Sequence, residues 1–218
     1  MIITKQKPFE ELLQMLEGCK NVVLTGCGEC ATVCKTGSAE ALEELKAKLE
    51  AHGINVLGSV VMTNSCNKLL VKKEIKQLKE VLPEADAIIS AACGDGVQTV
   101  ATNTDKVVYP SNNTLFLGEI ERQGIFSEAC KLCGDCVLAD TAAICPVTKC
   151  AKSLTNGPCG GAKDGKCEVN PENDCAWILI YNRLKEQGRL DRLMKSIPTK
   201  DYGAVAYPRV LNTKEEGK

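Results

Sequence analysis

Cysteines are the residues of this chain that can do chemistry, and fourteen of its 218 residues are cysteine. Eight of them fall between Cys130 and Cys175, and three open that stretch as Cys130-x-x-Cys133-x-x-Cys136. Thiolates three residues apart can reach one metal centre from a single short loop, as in iron–sulfur proteins, whereas disulfides rarely need this spacing. Because the stretch is rich in Gly, Pro and Asn and has little apolar surface to bury, we expect a metal centre to hold it together.

These eight cysteines form the second group of the chain, and the sequence leaves open how they divide between metal centres. Cys145 is followed by Pro146, which gives half of a ferredoxin-type motif without a second Cys-x-x-Cys-x-x-Cys. Eight thiolates can serve two four-thiolate clusters, or one cluster and one tetrahedral zinc. A simple division assigns Cys130, Cys133, Cys136 and Cys145 to one centre and Cys150, Cys159, Cys167 and Cys175 to the other. An interleaved division is equally buildable, and a zinc-only structural knot is the competing interpretation.

A first group of cysteines follows three apolar runs of strand length. Cys27, Cys30 and Cys34 come after the first run, and Cys66 and Cys93 come after the next two. If the strands are parallel, their carboxyl ends meet at one edge of the sheet, where open α/β sheets build their sites. We predict a [4Fe–4S] cluster held by Cys27, Cys30, Cys34 and Cys93, since Gly94 and Gly96 leave room beside Cys93. Cys66 is the alternative fourth ligand.

The same loop offers weaker interpretations. Gly26-x-Gly28-x-x-Ala31 matches a dinucleotide fingerprint, but the second predicted strand ends in Thr63-Asn64-Ser65, without the acidic residue that a ribose needs. Cys66 or Cys93 can also be a small buried hydrophobic residue, as free cysteine often is. Three cysteines at the phosphate position favour a cluster over a nucleotide.

The elements that must position these cysteines alternate between strands and helices in the first half of the chain. The predicted strands span residues 21–25, 54–62 and 87–91, with short candidates at 107–109 and 115–117. The predicted helices span residues 9–16, 38–53, 70–82 and 94–101. Strands separated by helices of this length indicate a parallel sheet with right-handed crossovers.

We therefore predict an α/β fold with two domains and a tail. A small Rossmann-like parallel-sheet domain at 1–124 carries an iron–sulfur site at the carboxyl ends of its strands. A loop-rich, cysteine-rich domain at 125–198 binds clusters or metal, and its only periodic segment begins at Cys175. Residues 199–218 form a C-terminal tail.

Composition excludes several classes of function. The net charge is −1 and only 4% of residues are aromatic, so nothing predicts a nucleic-acid partner. No apolar stretch approaches the roughly 20 residues of a membrane helix, and the N-terminus does not resemble a signal peptide. Fourteen cysteines without an export signal predict a reducing, cytoplasmic location. With His52 as the single histidine and no catalytic constellation, we identify no catalytic residue and expect the chain to be non-catalytic alone.

The C-terminal half resembles a known family. Its most specific segments are NGPCGG at 156–161, GKCE at 165–168 and CAW at 175–177. They resemble the cysteine-rich methylenetetrahydrofolate reductase C-terminal domain. With TGCGECATVC at 25–34, the whole chain is similar to the MetV-type iron–sulfur subunits of the MetVF-type reductases of acetogenic bacteria.

This resemblance implies a function in one-carbon metabolism (the Wood–Ljungdahl pathway). It implies a partner, a MetF-type flavoprotein subunit that reduces methylenetetrahydrofolate to methyltetrahydrofolate, and an electron donor such as ferredoxin. It marks the cysteines of both groups as ligands of two to three [4Fe–4S] clusters, with zinc possible in place of one. The chain would then be the electron-transfer subunit of an oxidoreductase. The alternatives are a zinc-stabilised scaffold of the same complex and a nucleotide-binding regulator.

Overall fold

The computed structural model describes residues 1–213. The chain divides into two compact units, Met1–Ser127 and a second unit that begins at Glu128. The domain limits predicted above stay predictions, and the last five residues of the predicted tail lie outside the described part. None of the helices formed by the described residues has the length and apolar character needed to cross a bilayer.

The first unit contains a parallel four-stranded sheet, so the predicted α/β class is confirmed. Its strands are β2 (Asn21–Cys27), β3 (Asn55–Met62), β4 (Ala87–Ala91) and β5 (Val107–Pro110). Their order is β3-β2-β4-β5, and every neighbouring pair is parallel. β2 thus has β3 on one side and β4 on the other, which makes its carboxyl end the switch point of the sheet.

Helices cover both faces of this sheet. The longest is α3 (Ala39–Ala51), whose N-cap Ser38 accepts a hydrogen bond from the Ala41 N–H at 3.3 Å. Successive strand residues point to opposite faces: Leu24 packs with Leu42 and Leu49 in one core cluster, and Val23 packs in a second. The other helices of this unit are α1 (Phe9–Met15), α2 (Cys30–Val33), α4 (Lys68–Glu74) and α5 (Gly94–Ala101).

Two features of this unit differ from the sequence prediction. The helix expected over 70–82 ends as α4 at Glu74, and 3₁₀ turns continue over Ile75–Leu78 and Leu82–Glu84. The candidate strand at 115–117 belongs to a separate antiparallel sheet of order β1-β6-β7. Its strands are β1 (Ile2–Gln6), β6 (Asn112–Arg122) and β7 (Ile125–Cys130), and β7 crosses the limit between the two units.

The second unit is mostly loops. Its helices are the single turn α6 (Pro146–Lys149) and α7 (Ala176–Glu186), with 3₁₀ turns at Leu190–Met194 and Tyr202–Val205. The buried apolar cluster is small and consists of Ala142, Trp177, Ile180 and Leu184. The Trp177 indole N–H donates to the Leu154 carbonyl at 3.0 Å, which ties α7 to the cysteine-rich loop before it.

Candidate metal centres

The carboxyl edge of the parallel sheet brings three cysteines from separate loops into one neighbourhood. Cys27 is the last residue of β2, Cys66 lies in the loop after β3, and Cys93 is the N-cap of α5. Cys27 is buried and packs with Ala31 and Ala92, next in sequence to Cys93. Such a meeting of strand ends is what the parallel topology dictates.

The causes of the raised pKa of Cys66 indicate that the Cys27 and Cys93 thiols lie nearby. Partial desolvation is the largest effect that raises the pKa of the Cys66 thiol, and the negative charges of Asp95, Cys93 and Cys27 raise it further. The Cys66 thiol donates to the Asn64 side-chain oxygen at 2.8 Å. Because these negative charges disfavour the Cys66 thiolate, a cation bound at this edge would favour it.

Glycines let the loops of this edge approach one another. A Cβ atom at Gly96 would lie 2.9 Å from the Ser65 Cβ and 2.8 Å from the Ala92 Cβ, and one at Gly28 would lie 3.2 Å from the Thr63 carbonyl. The space at Gly96 is therefore filled by the loop that carries Cys66. Gly96 therefore serves close packing between two loops, whereas a Cβ atom at Gly94 would meet only the Thr114 hydroxyl at 3.5 Å; room for a cluster beside Cys93 stays a prediction.

Cys30 and Cys34 point to a different neighbour. The Cys30 sulfur accepts the backbone N–H of Ile2 at 3.4 Å, and the Cys34 sulfur lies 3.9 Å from the Ile2 carbonyl. These two cysteines are one helical turn apart across α2 and so share a face. The structure thus gathers Cys27 with Cys66 and Cys93, and places Cys30 with Cys34 against the first strand.

Two buried hydroxyls lie just behind Cys27. Thr25 and Ser90 are direct partners across β2 and β4, and both side chains are fully buried. Within residues 1–213 neither hydroxyl has a hydrogen-bond partner. Thr25 is two residues from Cys27 and therefore on the same face of the strand. Buried hydroxyls are normally paired, so these two are available as O–H donors to sulfur at this edge.

In the second unit, the loop from Cys130 to Cys136 turns through two left-handed residues. Leu132 has φ of 55° and Gly134 has φ of 76°. Positive φ is uncommon for leucine and persists only where the surrounding structure requires it. The turn lets the Leu132 N–H donate to the Cys130 sulfur at 3.3 Å and places the Cys133 sulfur 3.7 Å from the Asp135 carbonyl. Backbone N–H groups aimed at sulfur stabilise thiolates and tune cluster potentials.

Cys145 begins the helix turn α6. Its sulfur accepts a hydrogen bond from the Thr148 hydroxyl at 3.5 Å. Pro146 fits the first helical position because it has no N–H to satisfy there. The Cys-Pro pair of the sequence motif therefore also starts a helix.

The other four cysteines of the second unit line one pocket. They are Cys150, Cys159, Cys167 and Cys175, with Trp177 at the same wall. Short antiparallel bridges join Lys166 to Lys163 and to Asp174, and they bring the neighbourhoods of Cys167 and Cys175 together. These are the four residues that the simple division leaves as one set.

The Cys167 sulfur is surrounded by backbone donors. The N–H groups of Asn170 and Val169, and more weakly that of Ala151, lower the pKa of the Cys167 thiol, while nearby Glu168 opposes them. The Cys167 backbone N–H donates to the Asn173 carbonyl at 3.0 Å, which closes a tight turn around the sulfur. A turn of N–H groups around one thiolate is a favourable setting for a metal ligand.

Two charged residues to which the sequence assigned no role, Lys152 and Glu168, stand beside Cys159. Glu168 accepts from the Cys159 thiol at 3.2 Å and forms an ion pair with Lys152. Lys152 is the main cause of the lowered pKa of Glu168, and Glu168 in turn raises the pKa of Lys152. A Cβ atom at Gly161, a glycine of NGPCGG, would collide with the Glu168 carboxylate as it is placed here, so a larger residue would displace that carboxylate. Glu168 belongs to the GKCE segment at 165–168, whereas Lys152 lies in none of the segments quoted above.

A third residue to which the sequence assigned no role is Lys200. Its side chain is 2% exposed, although it lies in the predicted tail. Its ammonium donates to the backbone carbonyl of Asp135, between Cys133 and Cys136. The sequence gives no pattern by which a lysine so far along the chain could be assigned to this loop.

The donor chemistry of both groups fits a thiolate-bound metal centre. Within residues 1–213, no group of three or more His, Cys, Asp or Glu side chains is arranged to hold a metal ion. Two features nevertheless fit a thiolate-bound metal centre. One is the pocket lined by four cysteines, and the other is the pair of unpaired buried hydroxyls, Thr25 and Ser90, near Cys27. Thiolate-only sets select zinc or iron–sulfur clusters.

Comparison with known proteins gives one informative match. Residues 109–203 match a family model described as "Methylene-tetrahydrofolate reductase C terminal". This range includes all eight cysteines of the second group. That part of the chain is therefore similar to a family related to methylenetetrahydrofolate reductase. No curated protein matches the chain.

Among solved structures, the crystal structure of an arylmalonate decarboxylase shares 16% sequence identity with this chain, at a TM-score of 0.33. The match covers 47% of this chain and 44% of the decarboxylase. The chain thus spans less than half the length of that enzyme, and so loose a likeness supports no statement about fold or activity.

Proposed function

We propose that this chain is the iron–sulfur electron-transfer subunit of a methylenetetrahydrofolate reductase of the MetVF type. Its partner would be a MetF-type flavoprotein whose flavin reduces methylenetetrahydrofolate to methyltetrahydrofolate in the Wood–Ljungdahl pathway. Electrons would come from a low-potential donor such as ferredoxin. The observation that carries the proposal is the family match over 109–203, because this range contains the whole second cysteine group.

The thiols of the second unit support a redox role in two ways. One set of four lines a common pocket, and in the loop from Cys130 to Cys136 the Leu132 N–H donates to the Cys130 sulfur. A bound [4Fe–4S] cluster would supply one-electron transfer at low potential. The chain would supply the thiolates, the hydrogen bonds that set the potential and the cover that limits access of water.

The first unit would hold a further centre at the carboxyl edge of its sheet. Cys27 packs with Ala92, next in sequence to Cys93, and the charges of Cys27 and Cys93 both raise the pKa of the Cys66 thiol. The predicted ligand set of Cys27, Cys30, Cys34 and Cys93 requires the short helix α2 to present Cys30 and Cys34 toward the other thiols. Cys66 in place of one of them is the alternative.

A second candidate function is a zinc-stabilised scaffold without electron transfer. The pocket of Cys150, Cys159, Cys167 and Cys175 favours it, because structural zinc sites are closed sets of four ligands, often all cysteine. In that case the chain would stabilise the flavoprotein or orient it, and its second unit would contain no redox centre in that pocket.

The test is the metal content and electron delivery of the chain purified without oxygen, with its flavoprotein partner. About eight to twelve iron atoms per chain, with visible charge-transfer absorbance that bleaches on reduction, are expected for two to three clusters. The partner's flavin should be reduced by reduced ferredoxin only when this chain is present. Zinc without iron, or flavin reduction that is equally fast without the chain, would exclude the relay and favour the scaffold.

A further inference from the structure

A buried lysine lies against the Cys130–Cys136 loop. The side chain of Lys200 is 2% exposed, whereas those of most lysines in this chain lie in solvent. Its ammonium donates to the backbone carbonyl of Asp135 and lies 3.8 Å from a carboxylate oxygen of the same residue. Both contacts are with the residue between the second and third cysteines of the motif.

The sulfur of Cys133 reaches the same atom. It lies 3.7 Å from the Asp135 carbonyl oxygen to which Lys200 donates. The ammonium and the sulfur therefore both lie near one oxygen atom and are close neighbours. No other lysine is this deeply buried among the described residues.

The burial of this charge requires compensation that Asp135 alone does not give. A buried ammonium loses its hydration and is retained when a negative charge is near. The Asp135 carboxylate is 52% exposed and 3.8 Å away, which makes it a weak, solvent-screened partner. A metal centre bound by several thiolates of the Cys130–Cys136 loop would supply the negative charge that Asp135 does not.

The chain that follows Lys200 covers the same loop. The turn Tyr202–Val205 begins with Asp201, whose carboxylate accepts the Gly203 N–H at 2.8 Å. A Cβ atom at Gly134 would lie 3.1 Å from the Ala204 Cβ and 3.1 Å from a Val205 methyl. Gly134 is therefore required by the left-handed turn and by the segment packed on it.

We propose that Lys200 is a fixed counter-charge to the thiolate centre of the Cys130–Cys136 loop and raises its reduction potential. This inference rests on the proposed function, because it assumes that the loop holds a redox centre. Accepting one electron from a reduced donor makes the centre one unit more negative. A positive charge beside it stabilises the reduced form more than the oxidised form and so raises the potential. The turn Tyr202–Val205, which follows Lys200 and packs on Gly134, would hold this segment against the loop.

The potential of the centre tests the charge. In the full chain purified without oxygen, Lys200→Met should lower the equilibrium constant for reduction by about tenfold, which is about 59 mV for a one-electron couple. Lys200→Arg keeps the charge and should stay close to the parent. Lys195→Met, which neutralises an exposed lysine on the same segment, is the matched control and should not shift the potential. Titrations followed by electron paramagnetic resonance measure each value.

Two results would overturn the proposal. One is an unchanged potential in Lys200→Met. The other is an equal shift in Lys200→Met and Lys200→Arg, since that would assign the effect to packing and not to charge.

A second measurement uses the unmodified chain, in case Lys200→Met does not fold. Lysine acylation followed by mass spectrometry should label Lys200 at least tenfold more slowly than Lys195 while the centre is loaded. Removing the metal with a chelator should abolish this protection. Equal labelling of the two lysines in the loaded chain would exclude a buried counter-charge. The rate of acylation can be measured with either iron or zinc bound and without the flavoprotein. A negative result in this measurement is therefore distinct from a failure of electron delivery to the flavin.

Discussion

At the scale of single residues, the direction of each cysteine matters more than its spacing. The run Cys27-x-x-Cys30-x-x-x-Cys34 has the spacing of a cluster loop, yet Cys27 ends a strand and Cys30 begins a helix turn. Cys30 and Cys34 consequently face Ile2, and Cys27 faces Ala92, next to Cys93. Spacing alone could not predict this, because the change of direction occurs at the backbone of Gly28 and Glu29.

The fourth ligand of the first centre can be identified by matched substitutions. Cys93→Ser should lower the iron content by about four atoms per chain, as expected for loss of one [4Fe–4S] cluster, whereas Cys66→Ser should retain it. Cys19→Ser is the control, because Cys19 is half-buried and packs beside the apolar core, outside both groups. Iron analysis of the three anaerobically purified variants is the measurement. The reverse pattern, with loss in Cys66→Ser alone, would make Cys66 the ligand.

At the scale of elements, one carboxylate holds two strands together. The Asp86 side chain accepts the backbone N–H groups of Asn21 and Lys20, each at 2.8 Å. It thereby joins the start of β2 to the residue that precedes β4. These two hydrogen bonds are the largest causes of the lowered pKa of Asp86, and Lys106 and Lys20 add to them.

The lowered pKa of Asp86 predicts a pH-dependent effect on stability. A carboxyl group whose pKa is depressed by folding stabilises the fold above its ordinary pKa of about 3.9 and loses this contribution as the pH falls through the folded value. Asp86→Ala should therefore lower the urea midpoint at pH 7, and the difference from the parent should narrow below about pH 4. Asp105→Ala, at an exposed position, is the control. A difference that is constant with pH would contradict the assigned role.

Local patterns predicted the parallel sheet well and the second sheet poorly. The runs at 21–25 and 87–91 carry continuous apolar residues, so β2 and β4 could be identified from composition alone. β1 pairs with β6, with Ile2 opposite Leu117, and no local signal connects segments so far apart in sequence. The set of four cysteines in the pocket was predictable, because it is one half of the simple division of the second group between two metal centres. The roles of Glu168 and Lys200 were not, because they depend on contacts between residues far apart in sequence.

At the scale of the whole molecule, the two units differ in what can stabilise them. The first unit has two apolar clusters on opposite faces of its sheet. Among its described residues, the second unit has one buried apolar cluster of four residues, is mostly loops and carries eight cysteines. A unit with so small a core commonly needs a metal to fold. We therefore expect metal binding to stabilise the second unit and not the sheet of the first.

The single tryptophan allows this to be measured in the intact chain. Trp177 is 6% exposed, lies in the second unit and lines the pocket of four cysteines. Removing metal with a chelator should shift its emission to the red, as the indole becomes hydrated, while far-ultraviolet circular dichroism retains the signal of the parallel-sheet unit. The wavelength of emission is the readout, because a bound cluster can quench intensity without any unfolding. Restoring iron or zinc should reverse the shift, and an emission maximum that stays unchanged in the metal-free chain would show that the small apolar core suffices.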